Sequence, residues 1–178
     1  MILRLTENLS DCEQTFKTVF GSFDPFEPIV HEGFPIRKVL FPTESYHLDH
    51  KQFGALLAAT ASREEKKFYV SEIESMPSPF VKGSHWFCDD PSFSDYTHLP
   101  IGVENAIYSL DGTWGFLLSH ELHAFLACDE DFWSNFEVVY PNWRNDEAEF
   151  IDYWREAKSE GTKTDWLPNF LGLLNASG

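Results

Sequence analysis

Three apolar runs lie almost back to back between residues 105 and 128, and they restrict the fold more than any other feature of the chain. Asn105 to Leu110 and Thr113 to Ser119 flank Asp111-Gly112, a pair suited to the positive φ values of a tight hairpin turn. Leu122 to Cys128 follows after a short connection at His120-Glu121. Links this short force antiparallel pairing, because a parallel crossover needs roughly a dozen residues or more. An antiparallel meander is therefore predicted.

The flanking segments read mainly as helices and short strands. Ser10-Asp11-Cys12-Glu13 has the form of a capping box, Phe16, Val19 and Phe20 recur at helical spacing, and Gly21 is expected to supply a left-handed stop. Ser22 to Pro35, with three prolines and Gly33, is expected to run as an extended loop pinned by Phe23, Phe26 and Ile29. Ile36 to Phe41 reads as a strand. Asp49 with Gln52 forms a second capping box ahead of Phe53, Leu56 and Leu57, on a helix reaching about Ser62. Arg63 to Lys67 reads as a solvated charge cluster. Phe68 to Ile73 is a strand closed by Met76-Pro77-Ser78-Pro79, and His85 to Cys88 is another.

Asp89 to Pro100 is a polar excursion of a length more often functional than connecting. After the meander, Asp129-Glu130-Asp131 places three carboxylates where a helix dipole favours them, ahead of Phe132, Trp133, Phe136, Val139 and Tyr140. A further helix is expected to start near Asp146, boxed by Glu149, and to bury Phe150, Ile151, Trp154 and Ala157 before Gly161. Trp166 to Leu174 is an apolar tail expected to dock on the body. The whole chain, 1–178, thus reads as one α+β domain: an antiparallel sheet with a C-terminal meander, helices packed on one face, the other partly wet.

Composition bears on function. With 29 acidic against 13 basic residues the net charge is −16, which disfavours nucleic acid and anionic membrane and favours a basic protein partner. The longest strictly apolar run, Ala124 to Cys128, is far short of a membrane span, and the amino terminus lacks a signal-peptide pattern. Cys12, Cys88 and Cys128 are odd in number and widely spaced, as buried thiols of a reducing compartment would be. A cytoplasmic location is expected.

Catalytic signatures are weak by comparison. Ser119-His120-Glu121-Leu122-His123 spaces its histidines by three in an extended segment, which turns them to opposite sides. His47, Asp49 and His50 fall at a helix start where Asp49 already serves as a cap. Cys88 lies beside Asp89-Asp90, whose charge opposes a reactive thiolate. No phosphate-binding loop, dinucleotide fingerprint or nucleophile elbow is present, and neither a cofactor nor a metal is expected. A hydrolase-type site of His and carboxylates distant in sequence, or a small regulatory domain whose acidity serves solubility, stays open as an alternative.

Acidic residues mixed with aromatics give a stronger signal, because carboxylates steer a basic partner and rings anchor it. The candidates are Asp89, Asp90, Asp95, Asp129, Glu130, Asp131, Trp143, Asp146 and Glu147, with Trp133 and Trp154 assigned to the core. The block from Ala106 to Phe132, with landmarks Asp111-Gly112, Trp114-Gly115, Ser119-His120-Glu121 and Asp129, resembles a hairpin-then-helix pattern of small bacterial proteins. An acidic, aromatic-rich chain of this size is similar to the immunity proteins of bacterial toxin systems, including polymorphic toxins and contact-dependent inhibition. That resemblance implies a non-enzymatic protein that covers the active site of a basic cognate toxin.

Overall fold

The computed structural model describes residues 1–5, 9–75 and 78–176. Seven strands, β1 (Ile2–Arg4), β2 (Ile36–Leu40), β3 (Lys67–Glu72), β4 (His85–Asp89), β5 (Asn105–Ser109), β6 (Trp114–Leu118) and β7 (Ala124–Cys128), form one sheet. Its order is β1-β4-β3-β5-β6-β7-β2, and every neighbouring pair is antiparallel. The helices are α1 (Leu9–Val19), α2 (His50–Ser62), α3 (Pro79–Lys82), α4 (Phe93–Thr97), α5 (Glu130–Val139), α6 (Trp143–Ser159) and α7 (Leu167–Asn175). The fold is α+β with an antiparallel sheet, as expected, and the meander β5-β6-β7 sits inside the sheet with β2 closing its outer side.

Helices cover both faces of the sheet, not one. On β6, Trp114, Phe116 and Leu118 join Phe53, Leu56 and Phe132 in a core under α2, α4 and α5. Leu117, from the same strand, joins Phe16, Phe20, Phe150 and Phe170 under α1, α6 and α7. β7 divides in the same way, with Leu126 on the first side and Phe125 on the second. The physical reason lies in the strands: Trp-Gly-Phe-Leu-Leu and Ala-Phe-Leu-Ala-Cys are apolar at successive positions and wholly buried. Such runs belong to sheets covered on both sides, because a half-wet sheet alternates polar and apolar residues.

Two glycines in this region have distinct reasons. Gly112 turns the hairpin at φ +71°, a conformation that side chains resist. Gly115 lets α1 approach, because a Cβ there would lie 2.7 Å from the Phe20 ring. Gly21, by contrast, is not left-handed. Its N–H donates to the Ile29 carbonyl at 2.7 Å, and a Cβ would meet Ile29 at 2.8 Å, so close chain packing explains it.

The first helix begins at Leu9, which places Ser10 inside it. The Asp49–Gln52 capping box forms in both directions. Met76 and Pro77 of the strand-ending segment lie outside the described residues, and Pro79 begins α3. The polar excursion after β4 is a packed crossover. Ser92 and Asp95 form a capping box on α4, and fully buried Tyr96 stacks on Phe53 at 4.4 Å and accepts the Leu48 N–H at 2.9 Å. No described helix is long and apolar enough to cross a membrane.

Candidate functional site

The end of α2 organises one end of the sheet. Arg63 follows the helix, and Glu64 at φ +58° reverses the chain so that the Glu65 N–H returns to the Thr60 carbonyl at 2.9 Å. This turn carries the Arg63 side chain, only 12% exposed, inward. Its Nη1 donates to both Asp129 oxygens at 2.8 and 2.7 Å, and its Nη2 donates to Thr113 Oγ1 at 3.1 Å. Asp129 at the same time caps α5, accepting the Phe132 N–H at 2.8 Å. The Thr113 hydroxyl donates onward to Asp111 in the hairpin turn at 2.8 Å. One guanidinium therefore fixes α2, the β5–β6 turn and the start of α5 to each other. Arg63 is a structural clamp and departs from the solvated cluster expected of it.

Around this clamp the acids converge. Glu64, Glu65, Asp89 and Asp111 line an open cleft of about 420 Å³ together with Lys66, Lys67 and Leu110. Burial first, and then the charge of Asp111, pushes the Glu65 carboxyl upward, while Arg63 at 3.3 Å pulls it back. Asp90 pairs with Lys66 at 3.1 Å and Asp89 with Lys67 at 3.9 Å, both at exposed positions. Such pairs contribute little stability. Asp131 reaches Arg63 at 3.9 Å, and Glu130 is exposed beside it. Five of the nine nominated residues, Asp89, Asp90, Asp129, Glu130 and Asp131, thus share this end of the sheet.

The other four are elsewhere. Asp95 closes the capping box of α4 from inside the helix; hydrogen bonds from the Ser92 hydroxyl and N–H hold its carboxyl below the ordinary range. Trp143 packs edge-on against Trp133 at 5.1 Å, with Lys38 4.6 Å and Arg144 4.3 Å from its ring. Cations of this chain already lie against it. Asp146 is buried within α6 and does not start it, because the helix begins at Trp143. Its Oδ2 accepts the Phe41 N–H at 3.1 Å and the Tyr140 hydroxyl at 2.8 Å, and burial pushes its carboxyl up to about 6. Glu147 is half-buried on the same helix and makes no ion pair among the described residues.

Sequence reasoning passed over Arg63, Glu64, Glu65 and Asp111. The positions offered one local signal, the pair Glu64-Glu65 directly after an amphipathic helix. What joins them to Asp89 and Asp129 is strand pairing.

Several other chemistry-bearing side chains are committed to structure, whereas the buried Nε2 of His47 has no hydrogen-bond partner among the described residues. His123 is fully buried, its Nε2 3.2 Å from the Pro25 carbonyl, and burial lowers it to about 4. His120 is exposed and lies 3.0 Å from Glu104, so the two histidines part as their spacing requires. His85 stacks on Phe80 at 4.8 Å with its Nε2 3.2 Å from the Pro79 carbonyl. Cys12, Ser71 and Tyr108 form a buried polar knot, with the Tyr108 hydroxyl 2.7 Å from Cys12 Sγ and 2.8 Å from Ser71 Oγ. Burial raises the Cys12 thiol and, more than its acidic neighbours, pushes Cys88 up to about 12. Neither is an activated thiolate. Among the described residues no three His, Cys, Asp or Glu side chains are grouped so as to hold a metal ion.

No protein-family model matches the chain, and no curated protein or solved structure matches it either.

Proposed function

We propose that this chain is a non-enzymatic, acidic binding protein of the toxin-immunity kind, acting in the cytoplasm, and that the end of the sheet around Arg63 covers the active site of a basic toxin. The observation that carries this reading is the concentration of charge there. Glu64, Glu65, Asp89 and Asp111 line one open cleft with Lys66 and Lys67, and Asp90, Asp129 and Asp131 lie beside it on Lys66 and Arg63, with Glu130 exposed between the last two acids. A field of one sign around a concave surface accelerates association with a partner of the other sign. Three free, buried cysteines fit a reducing compartment.

The partner to test is the product of the neighbouring gene, titrated at low and high salt against wild type and the exposed double variant Glu64→Lys/Glu130→Lys. Tight binding whose association rate falls about tenfold or more with salt, and again with the double variant, is expected. Binding indifferent to both removes the acidic sheet end from the interface. A neighbouring gene of metabolic function, with no binding, removes the immunity reading altogether.

A further inference from the structure

A second cleft, of about 490 Å³, lies at the opposite end of the sheet, beyond the β6–β7 connection. Three aromatic rings line it: Phe26 from the proline-rich loop, Trp154 from α6 and Trp166 at the start of α7. Their planes are close to mutually perpendicular, at 82° for Phe26–Trp154, 73° for Phe26–Trp166 and 86° for Trp154–Trp166, with centroids 6.1, 4.9 and 5.0 Å apart. The three rings thus pack edge to face along one wall of the cleft, with Phe26 and Trp166 half-buried there. A cation entering the cleft can come within the roughly 6 Å reach of a cation–π contact with the half-buried rings of Phe26 and Trp166.

The rim carries the matching charge. Asp24, Glu27, Glu121 and Asp165 line the cleft against a single cation, Lys163. Among the described residues no cation of this chain sits over any of the three rings, whereas Lys38 and Arg144 are placed against Trp143. The cleft wall is therefore aromatic and acid-rimmed; His123 and Phe170 pack on Trp166 from the core side, and the rim holds one cation, Lys163. Trp154 is 4% exposed and its indole Nε1 has no hydrogen-bond partner, although a buried indole N–H ordinarily finds an acceptor. A bound peptide offers a cationic side chain for the half-buried rings of Phe26 and Trp166, while the buried Trp154 indole stays behind them.

We infer that Phe26, Trp154 and Trp166, with the carboxylates around them, form a binding site for an arginine side chain presented by a partner polypeptide. The planar guanidinium suits an aromatic wall rimmed by acids, because it stacks on a ring while its edge donors reach the carboxylates. The site is separate from the acidic end around Arg63 and does not depend on the function proposed for that end.

The test uses Nα-acetyl-arginine-N-methylamide as probe and the citrulline analogue as its uncharged isostere, followed through the indole N–H resonances of Trp154 and Trp166 in the full chain. Saturable shifts at these two indoles with the arginine probe, at a dissociation constant on the order of millimolar, and at least tenfold weaker binding of the citrulline probe are expected. Asp24→Asn keeps the acceptor that Asp24 offers to the Phe26 and Glu27 N–H groups, and should weaken arginine about threefold. Lys163→Ala removes the competing cation and should tighten binding by a similar factor, a gain that misfolding cannot imitate. Equal binding of the two probes, shifts confined to other tryptophans, or an unchanged affinity in Lys163→Ala would overturn the assignment.

Discussion

The starts of α5 and α6 look alike in sequence and are physically opposite. Both put an aspartate ahead of glutamates and aromatic residues, Asp129 with Glu130 and Asp146 with Glu147 and Glu149. Asp129 stands at a true helix end, half-exposed, where a guanidinium and a backbone N–H both stabilise its charge. Asp146 lies inside a helix already begun, 4% exposed, with a hydroxyl and one distant N–H for partners and no cation. The difference teaches that a carboxylate's role is decided by what the rest of the chain brings to it. Asp129 receives Arg63 from 66 residues away, and Asp146 is enclosed by Phe41, 105 residues away.

Replacing each acid in turn should separate the two roles by size. Asp146→Ala leaves a buried N–H and a buried hydroxyl without their acceptor and should cost about 3 kcal/mol in denaturant unfolding at neutral pH. Asp129→Ala loses a cap and strands a buried guanidinium, at about 2 kcal/mol, whereas Asp129→Asn keeps the cap and should cost about half of that. If the two alanine variants lost equal stability, the distinction between clamp and buried acceptor would collapse.

The pH dependence sharpens the comparison further. Asp146 is raised to about 6 in the folded chain, so the folded state holds its proton more tightly than the unfolded state does. Its contribution is then greatest in acid and is lost as pH rises from about 4 through 6. Asp146→Asn removes that loss and should gain on wild type by up to about 2 kcal/mol between pH 4 and 7, read from melting temperatures across the range. His123 slopes the other way. It is lowered to about 4, so the unfolded chain takes up the proton first and stability falls as pH drops from about 6.5 through 4. His123→Gln should flatten that limb and leave the Asp146 limb intact.

The smallest effect belongs to Glu130→Gln. It is exposed and makes no ion pair among the described residues, so it should move stability by less than about 0.5 kcal/mol. The same substitution should still slow association with a basic partner.

What was legible in the sequence was what neighbours along the chain decide. The Asp111-Gly112 hairpin, the Asp49 box and the Asp129 cap each depend on residues within a few positions, and each forms, although the hairpin turn runs from Leu110 to Thr113 with Gly112 and not Asp111 at positive φ. The box at Asp146 was misleading because Pro141-Asn142 already opens the helix. The helix inside the excursion after β4 was hidden because its box closes with Asp95, a shorter acid than the usual glutamate. Helices on both faces were implied by the continuous apolar runs of β6 and β7, although those runs do not name the helices that supply the cover. The acidic end required the whole sheet, since Glu65, Asp89 and Asp111 come from the α2–β3 connection, the end of β4 and the β5–β6 turn.

The order of strands also sets a timetable. The two outermost strands, β1 and β2, come from the first forty residues, and everything between them comes from residues 67–128. Ile36 is made 92 residues before its partner Cys128, an interval of roughly 5–20 s at ordinary rates of synthesis. For that time the earliest strand segments must stay unpaired without recruiting one another, and Arg37 and Lys38 in the middle of β2 supply the charge that discourages such pairing. The two edges differ in their wait: β1 has its partner once β4 is complete at Asp89, whereas β2 pairs with β7, the last strand of the sheet to be made.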